Sequence, residues 1–420
     1  MTEDINKNRE LDDVCFIQRL TVFLACGMVL FFSFAFFAGE KRTFSENENR
    51  VLAGTPEFAL SSVRNGQFMK QTEAYISDHF PFRDGFLGII TEGERLSGRK
   101  EIEGVYLAKD GSLIESYAAQ ENTGKVITQF SRFSENLENA KCYLMIVPTA
   151  VTICRDRLPD YCPDLKAKGR HAGPAADHAD PDGQGFDPEG QESYGQESVI
   201  NEIYESVSGR IVTVDALGAL KEYAGADADT EDRLYYRLDH HWTTSGAYAG
   251  YTAFCRAAGM APSELTDYEV KTVSDDFRGT VYSKLNDPHF GYDRIVSCEH
   301  PDWKLKVEYA DSGEVTDTMY APEYLEKKDQ YSYFLNNIHP LVTITNEALP
   351  DGAAAVVKDS YANSLIPFLA VHYHTIYVFD TRYYKGGVSG FINEHPEIGE
   401  VLILYNLGTM DNDTGIGGIY

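Results

Sequence analysis

Asp239, His240, His241 and Trp242 stand side by side in "LDHHWTTSGAYAGY" (238–251), in a chain with only 11 histidines and 2 tryptophans. A carboxylate beside imidazoles allows three chemistries. As metal ligands they need further donors, and no H-x-x-x-H or suitably spaced glutamate supplies them. As structural residues they precede a helix capped by Thr243 or Thr244. As a catalytic pair, the aspartate orients a histidine that takes a proton from a nucleophile. A candidate nucleophile stands far downstream in "AVVKDSYANSLIPFL" (355–369). A strand ends at Val357, a turn carries Lys358, Asp359 and Ser360, and a helix follows. That geometry presents a hydroxyl at the carboxyl edge of a sheet and points helix N–H groups at whatever the hydroxyl attacks. Ser360 as a plain helix cap is the competing reading. The residues alone leave these alternatives open.

The elements that must position them follow from hydrophobic patterning. Continuous apolar runs at 141–151, 210–217, 353–360, 374–382 and 400–407 read as buried strands of a parallel sheet. Helical patterns at 126–140, 198–207, 243–258 and 361–373 alternate with them, so the expectation is an α/β fold, a parallel sheet with helices on both faces. In such sheets the site lies beyond the carboxyl ends of the strands. The short piece "RLYYRL" places Asp239 and the histidines in a strand-to-helix loop. A hairpin is expected at 104–116, turning at Asp110-Gly111. Residues 163–197, rich in Gly, Pro, Asp and Gln, cannot bury enough apolar surface to fold and read as a disordered insert. Its His171 and His178 with nearby aspartates read as part of a solvated loop.

The formal net charge is -28 over 420 residues, which argues against a nucleic-acid partner. Seven cysteines form no CxxC pair or zinc spacing; Cys154 and Cys162 could close a short loop in an oxidising compartment. Leu20 to Ala38 is a charge-free apolar run of nineteen residues. At about 1.5 Å per residue it just spans a hydrocarbon core of about 30 Å. It is longer than the apolar region of a cleaved signal peptide, so a retained, single-pass membrane anchor is expected. Lysines and arginines flank it on both sides, and orientation must come from the large domain's function. The expected organisation is a cytoplasmic tail (1–19), an anchor (20–38), an extracytoplasmic region (39–125) and the main domain (126–420).

"LDHHWT" with a later strand-end "DSYANS" resembles the DHHW family, a branch of SGNH-hydrolase-like proteins related to bacterial alginate O-acetyltransferases. "FSENENRVLAGTPEF", "YISDHFPFRD", "GVYLAKDG", "MIVPTAV" and "RGTVYSK" are similar to family landmarks in family order. The resemblance implies that Asp239 orients His241, that His241 is the general base, and that Ser360 is the nucleophile, with His240 in a variable position. It implies an O-acyltransferase anchored to the cell envelope, transferring acetyl to a polysaccharide through an acyl-enzyme, with its domain outside the cell membrane. A multipass membrane acyltransferase would deliver acetyl groups, and no soluble cofactor or metal is implied. The alternatives are a carbohydrate acetyl esterase and a non-catalytic polysaccharide-binding or assembly protein on the same fold.

Further expected contacts are Tyr361, whose N–H would join an oxyanion hole, Arg382 on a substrate carboxylate or hydroxyl, Trp242 along the sugar or packed behind the histidine, and Asn406 as an oxyanion donor or a structural turn residue. Gly279 would let backbone approach a ligand. Lys358 stands where the related G-D-S turn has glycine, a departure that bears on the oxyanion geometry.

Overall fold

A computed structural model describes residues 2–45, 50–118, 120–162, 195–226 and 233–420. Most of the predicted insert, 163–194, lies outside the described residues. The chain divides into two compact units, Met1–Gly93 and Glu94–Tyr420. The first holds helix α1 (Thr2–Ala38), α2 (Gln67–Asp78) and most of α3 (Arg83–Leu96). Within α1, Cys15–Ala38 is long and apolar enough to cross a membrane; a signal sequence passes the same test.

The division between the units falls before the expected hairpin. Strands β1 (Glu101–Ile102), β2 (Val105–Leu107) and β3 (Leu113–Glu115) form a small antiparallel sheet. Its Ile102, Val105 and Leu113 pack with Leu238, Val281, Tyr282 and Leu285, which ties the hairpin to the segments around Asp239. The turn at Gly111 has φ 79°, a conformation glycine takes without a steric penalty.

The main sheet is built on the five predicted strands. These are β4 (Lys141–Val147), β5 (Ile211–Val214), β11 (Ala353–Lys358), β12 (Thr375–Phe379) and β13 (Ile398–Asn406), all parallel, in the order β12-β11-β13-β4-β5. Between them in the chain come β6 (Glu269–Phe277) paired with β7 (Asp293–Glu299), then β8 (Leu305–Tyr309), β9 (Val315–Thr316) and β10 (Leu341–Asn346). The last three extend the sheet antiparallel beyond β12, so the sheet is mixed and eight-stranded. The alternate burial of "LVTITN" explains this edge: one face of β10 is covered and the other only partly so.

Helices cover both faces. Alternate residues of β4 show the split: Tyr143, Met145 and Val147 join one core, Cys142, Leu144 and Ile146 the other. The first core packs against α6 (Ala216–Ala226) and α7 (Thr244–Ala258); the second packs against α4 (Thr123–Asn136), α5 (Gln196–Ser206) and α9 (Val388–Glu394). A short helix, α8 (Thr280–Leu285), comes between β6 and β7. Cys154 and Cys162, the candidate loop-closing pair, are both buried, unbonded thiols.

Two local expectations change. "RLYYRL" forms no regular strand: Tyr235 makes an isolated bridge with Trp242, and the loop between them folds back through Thr243 N–H to Leu234 O (3.0 Å). The helix expected over 361–373 is a 3-10 turn, Ser360–Ser364, followed by a single helical turn, Ile366–Leu369. Pro367 stands at the start of that second turn, where its missing N–H cannot continue the bonding pattern of the first.

Candidate active site

Ser360 opens the 3-10 turn directly past the carboxyl end of β11. The turn is held from below by Asp359. Its Oδ1 accepts the Tyr361 N–H (2.9 Å), and its Oδ2 accepts the Asn406 N–H (2.7 Å) and the Thr409 hydroxyl (2.8 Å). Two neighbouring strand ends, β11 and β13, are thereby locked together beneath the serine.

The loop before α7 brings the histidine. Thr243 caps α7, its side chain accepting the Gly246 N–H at 3.2 Å. Trp242 is completely buried, and its indole N–H donates to the Tyr361 carbonyl (2.8 Å) and Ser364 Oγ (3.0 Å). This indole clamps the Asp239–His241 loop onto the serine turn. Gly250 makes room for it, since a Cβ there would lie 2.7 Å from the Trp242 ring.

His241 then bridges the two elements. Its Nδ1 lies 2.6 Å from Asp239 Oδ1 and its Nε2 lies 2.8 Å from Ser360 Oγ. The Asp239 contact fixes the tautomer with the proton on Nδ1, which leaves Nε2 to accept the serine proton. Asp239 is itself fully engaged: Oδ1 also accepts the His241 N–H (3.0 Å), and Oδ2 accepts both the N–H (2.7 Å) and the hydroxyl (3.0 Å) of Thr280. Burial raises the Asp239 pKa, but the imidazoles of His241 and His240 and the Thr280 N–H outweigh it and hold the carboxyl well below the usual range. Burial, with His240 adding to it and Asp239 opposing, lowers His241 to about 4. At neutral pH the imidazole is therefore uncharged and able to act as a base.

Asp239, His240 and His241 bring potential metal-ligand atoms within 4.8 Å of one another. Yet both His241 nitrogens and both Asp239 oxygens already hold protein partners, a pattern suited to proton transfer rather than to a ligand set. His240 stands beside them, its Nδ1 2.6 Å from Thr280 Oγ1 and its ring centroid 3.9 Å from that of His241. On this side a cavity of about 160 Å³ opens, lined by Glu115, Thr149, His240, Tyr361, Asn406 and Thr409.

The other expected contacts are placed differently. Trp242 lies behind the site and has no exposed surface to offer a sugar. The Tyr361 N–H is taken by Asp359, and its hydroxyl donates to the His240 carbonyl, so neither is directed at an oxyanion. Asn406 closes the end of β13, its Oδ1 accepting the Gly408 N–H (2.8 Å) and its Nδ2 donating to the Val147 carbonyl (3.2 Å). Arg382 forks onto Asp380, with Nε at 2.9 Å from Oδ1 and a terminal nitrogen at 2.5 Å from Oδ2. Its charge is neutralised within the fold. Lys358 is buried in the same cluster, 3.8 Å from Asp380 Oδ2. Gly279 does permit a close approach, but of Asp239: a Cβ there would lie 2.1 Å from Oδ2.

Two residues of the site escaped the sequence reading. Thr280 adjoins the glycine already singled out, and its place at the first position of α8 explains why its N–H is free for Asp239. Tyr331 stacks on the His241 ring, centroids 3.7 Å apart and planes within 10°, and donates from its hydroxyl to the Ser360 carbonyl (3.2 Å). Nothing in "DQYSYFL" marks one aromatic among several.

Residues 214–379 match the family model described as DHHW protein. Among solved structures the chain is similar to a DHHW family protein from Eubacterium siraeum, at 22% identity and TM-score 0.58, over 76% of this chain and 96% of that one. It is also similar to PatB1 of Bacillus cereus carrying a sulfonyl adduct, at 19% identity and TM-score 0.53, over 73% and 95%. A further PatB1 structure gives 17% and 0.53, over 72% and 95%. These likenesses are of fold. No curated protein matches the sequence. The family-model match spans both the Asp239–His241 loop and the serine turn, and the chain shares the α/β fold of a solved DHHW family protein.

Proposed function

We propose that this chain is a membrane-anchored O-acyltransferase that places acetyl groups on hydroxyls of a polysaccharide outside the cell membrane. The observation that carries the reading is the unbroken hydrogen-bond chain from Ser360 Oγ through His241 to Asp239. In the first half-reaction Ser360 Oγ attacks the donor's acyl carbonyl while His241 Nε2 takes the serine proton. The tetrahedral intermediate collapses, the donor's leaving group departs with that proton, and Ser360 is acylated. In the second, His241 removes a proton from a sugar hydroxyl, whose oxygen attacks the acyl-enzyme; the proton returns to Ser360. Asp239 holds the imidazole and stabilises its cationic form throughout. The resemblance adds a multipass membrane acyltransferase as acetyl donor, with α1 holding the domain beside it.

The test is acylation of the full chain in detergent or vesicles with a chromogenic acetyl ester, followed by intact mass. A single acetyl adduct on Ser360, absent from Ser360→Ala, supports the reading. A sulfonyl fluoride is the matching trap, because the similar PatB1 structure carries a sulfonyl adduct. A binding-only role has one observation in its favour, the commitment of the Tyr361 N–H to Asp359. A folded protein that takes neither acetyl nor sulfonyl would decide for it.

A further inference from the structure

The first unit carries an apolar surface that the proposed chemistry does not use. After α2 the chain reads "HFPFRDGFLGII" (79–90), and Phe82, Ile89 and Ile90 are 65%, 67% and 58% exposed. Such a contiguous patch is unusual on a surface that faces only water. Phe82 also adopts a left-handed backbone, φ 62°, which bulky residues take rarely.

The rings of this segment lie against α1. Phe80 stacks on Phe32 with centroids 5.4 Å apart, Phe86 meets the same ring at 6.0 Å, and Phe82 lies parallel to Phe31 at 6.3 Å. Phe31 and Phe32 are inside the charge-free run, six and seven residues before its end at Ala38. At 1.5 Å per residue that is about 9–10 Å from the end of the run. Polar contacts of the same segment are made where the chain leaves the run. Asp84 pairs with Arg42 (3.6 Å), and His79 Nε2 lies 3.1 Å from the Arg42 carbonyl.

We propose that residues 80–90 are a membrane-inserted element, with Phe80, Phe82, Phe86, Ile89 and Ile90 among lipid acyl chains beside α1 and Arg42, Asp84 and His79 at headgroup level. The depth set by Phe31 and Phe32 matches the roughly 5–10 Å at which an interfacial helix buries its apolar face. Acyl chains are the occupant because rings that touch a bilayer-spanning run about a third of the way in from its end share that depth. The proposal rests on reading α1 as a retained anchor. It adds a second point of attachment, which would hold the unit in a fixed orientation at the bilayer surface.

The experiment uses the full chain in phosphatidylcholine–phosphatidylglycerol vesicles, with and without bromine on the acyl chains. Phe82→Trp, Ile90→Trp and Phe23→Trp are compared, the emission of Trp242 and Trp303 in the unsubstituted chain being subtracted. In brominated vesicles all three added tryptophans are expected to lose most of their emission. Quenching at residue 23 with none at 82 or 90 overturns the proposal and leaves the anchor standing. If emission at 82 and 90 is then blue-shifted but unquenched, a protein surface covers the patch instead. No quenching at residue 23 removes the anchor reading and the proposal with it. Ile90→Trp keeps the test valid if the strained Phe82 position does not tolerate replacement.

Discussion

Asp-x-His occurs twice in this sequence, at Asp239–His241 and at Asp287–His289. The two motifs are built alike. In each, one carboxylate oxygen accepts the backbone N–H of the histidine at 3.0 Å and lies 2.6 Å from its Nδ1. Everything beyond that differs. Asp287 turns its second oxygen to Arg95 at 2.8 Å, and the His289 side chain is 53% exposed. Asp239 turns its second oxygen to Thr280, and His241 is buried under Tyr331 with Ser360 on its far nitrogen. The motif orients an imidazole in both places. Only burial and a positioned hydroxyl convert orientation into a base with something to deprotonate.

Substitutions at the two copies should separate most at the histidines. Ser360→Ala and His241→Ala are each expected to reduce ester turnover on the order of 10⁶-fold, as for residues acting as a unit. His289→Ala should leave turnover near wild type; a comparable loss there would break the contrast. At the carboxylates, Asp239→Asn should cost about 10⁴-fold in kcat by favouring the wrong tautomer. Asp287→Asn should instead lower thermal stability by about 1–3 kcal/mol with kcat retained, because it weakens a partly buried pair with Arg95. A smaller effect tests the close approach behind Asp239. Gly279→Ala must push the carboxylate aside, and a displacement of about 1 Å in a positioning group costs about 10²-fold. Circular dichroism should show the fold intact.

The smallest effect concerns pH. His241 is lowered to about 4, so the acid limb of kcat/KM should fall near pH 4 rather than near the usual histidine range. His240 is one of the groups that lower His241. His240→Asn should therefore raise the His241 pKa and move that limb to higher pH, a shift that His289→Asn should not produce.

The comparison also explains what the sequence made legible. Of the five parallel strands, β4, β11 and β13 were the most visible because both their faces are covered, which leaves a continuous apolar run, while β5 and β12 are covered less completely. The serine turn and the DHHW loop were visible because their signals are local: a strand end, a cap, adjacent ionisable residues. The antiparallel edge was not, since β8, β9 and β10 are short and only alternately buried. Tyr361, Asn406 and Arg382 lie at or just past strand ends and Trp242 in the loop before α7, but their side-chain directions are settled by partners remote in sequence. Trp242 is turned inward by Ser364, and Arg382 by Asp413 (3.9 Å) as well as by Asp380. Tyr331 reaches His241 only through tertiary packing.

Strand β13 lies in the sheet between β4 and β11, although it is the last strand of the chain. Asn406 at its end, with Thr409, holds the Asp359 carboxylate that shapes the serine turn. A chain growing from its N-terminus therefore possesses its histidine loop and its serine before either has a finished floor to stand on. Until residues 398–409 are reached, the central strand and its contacts are missing, and the sheet is two separated halves. A chain cut before Ile398 would keep every residue of the Ser360–His241–Asp239 relay and lose the strand that supports it.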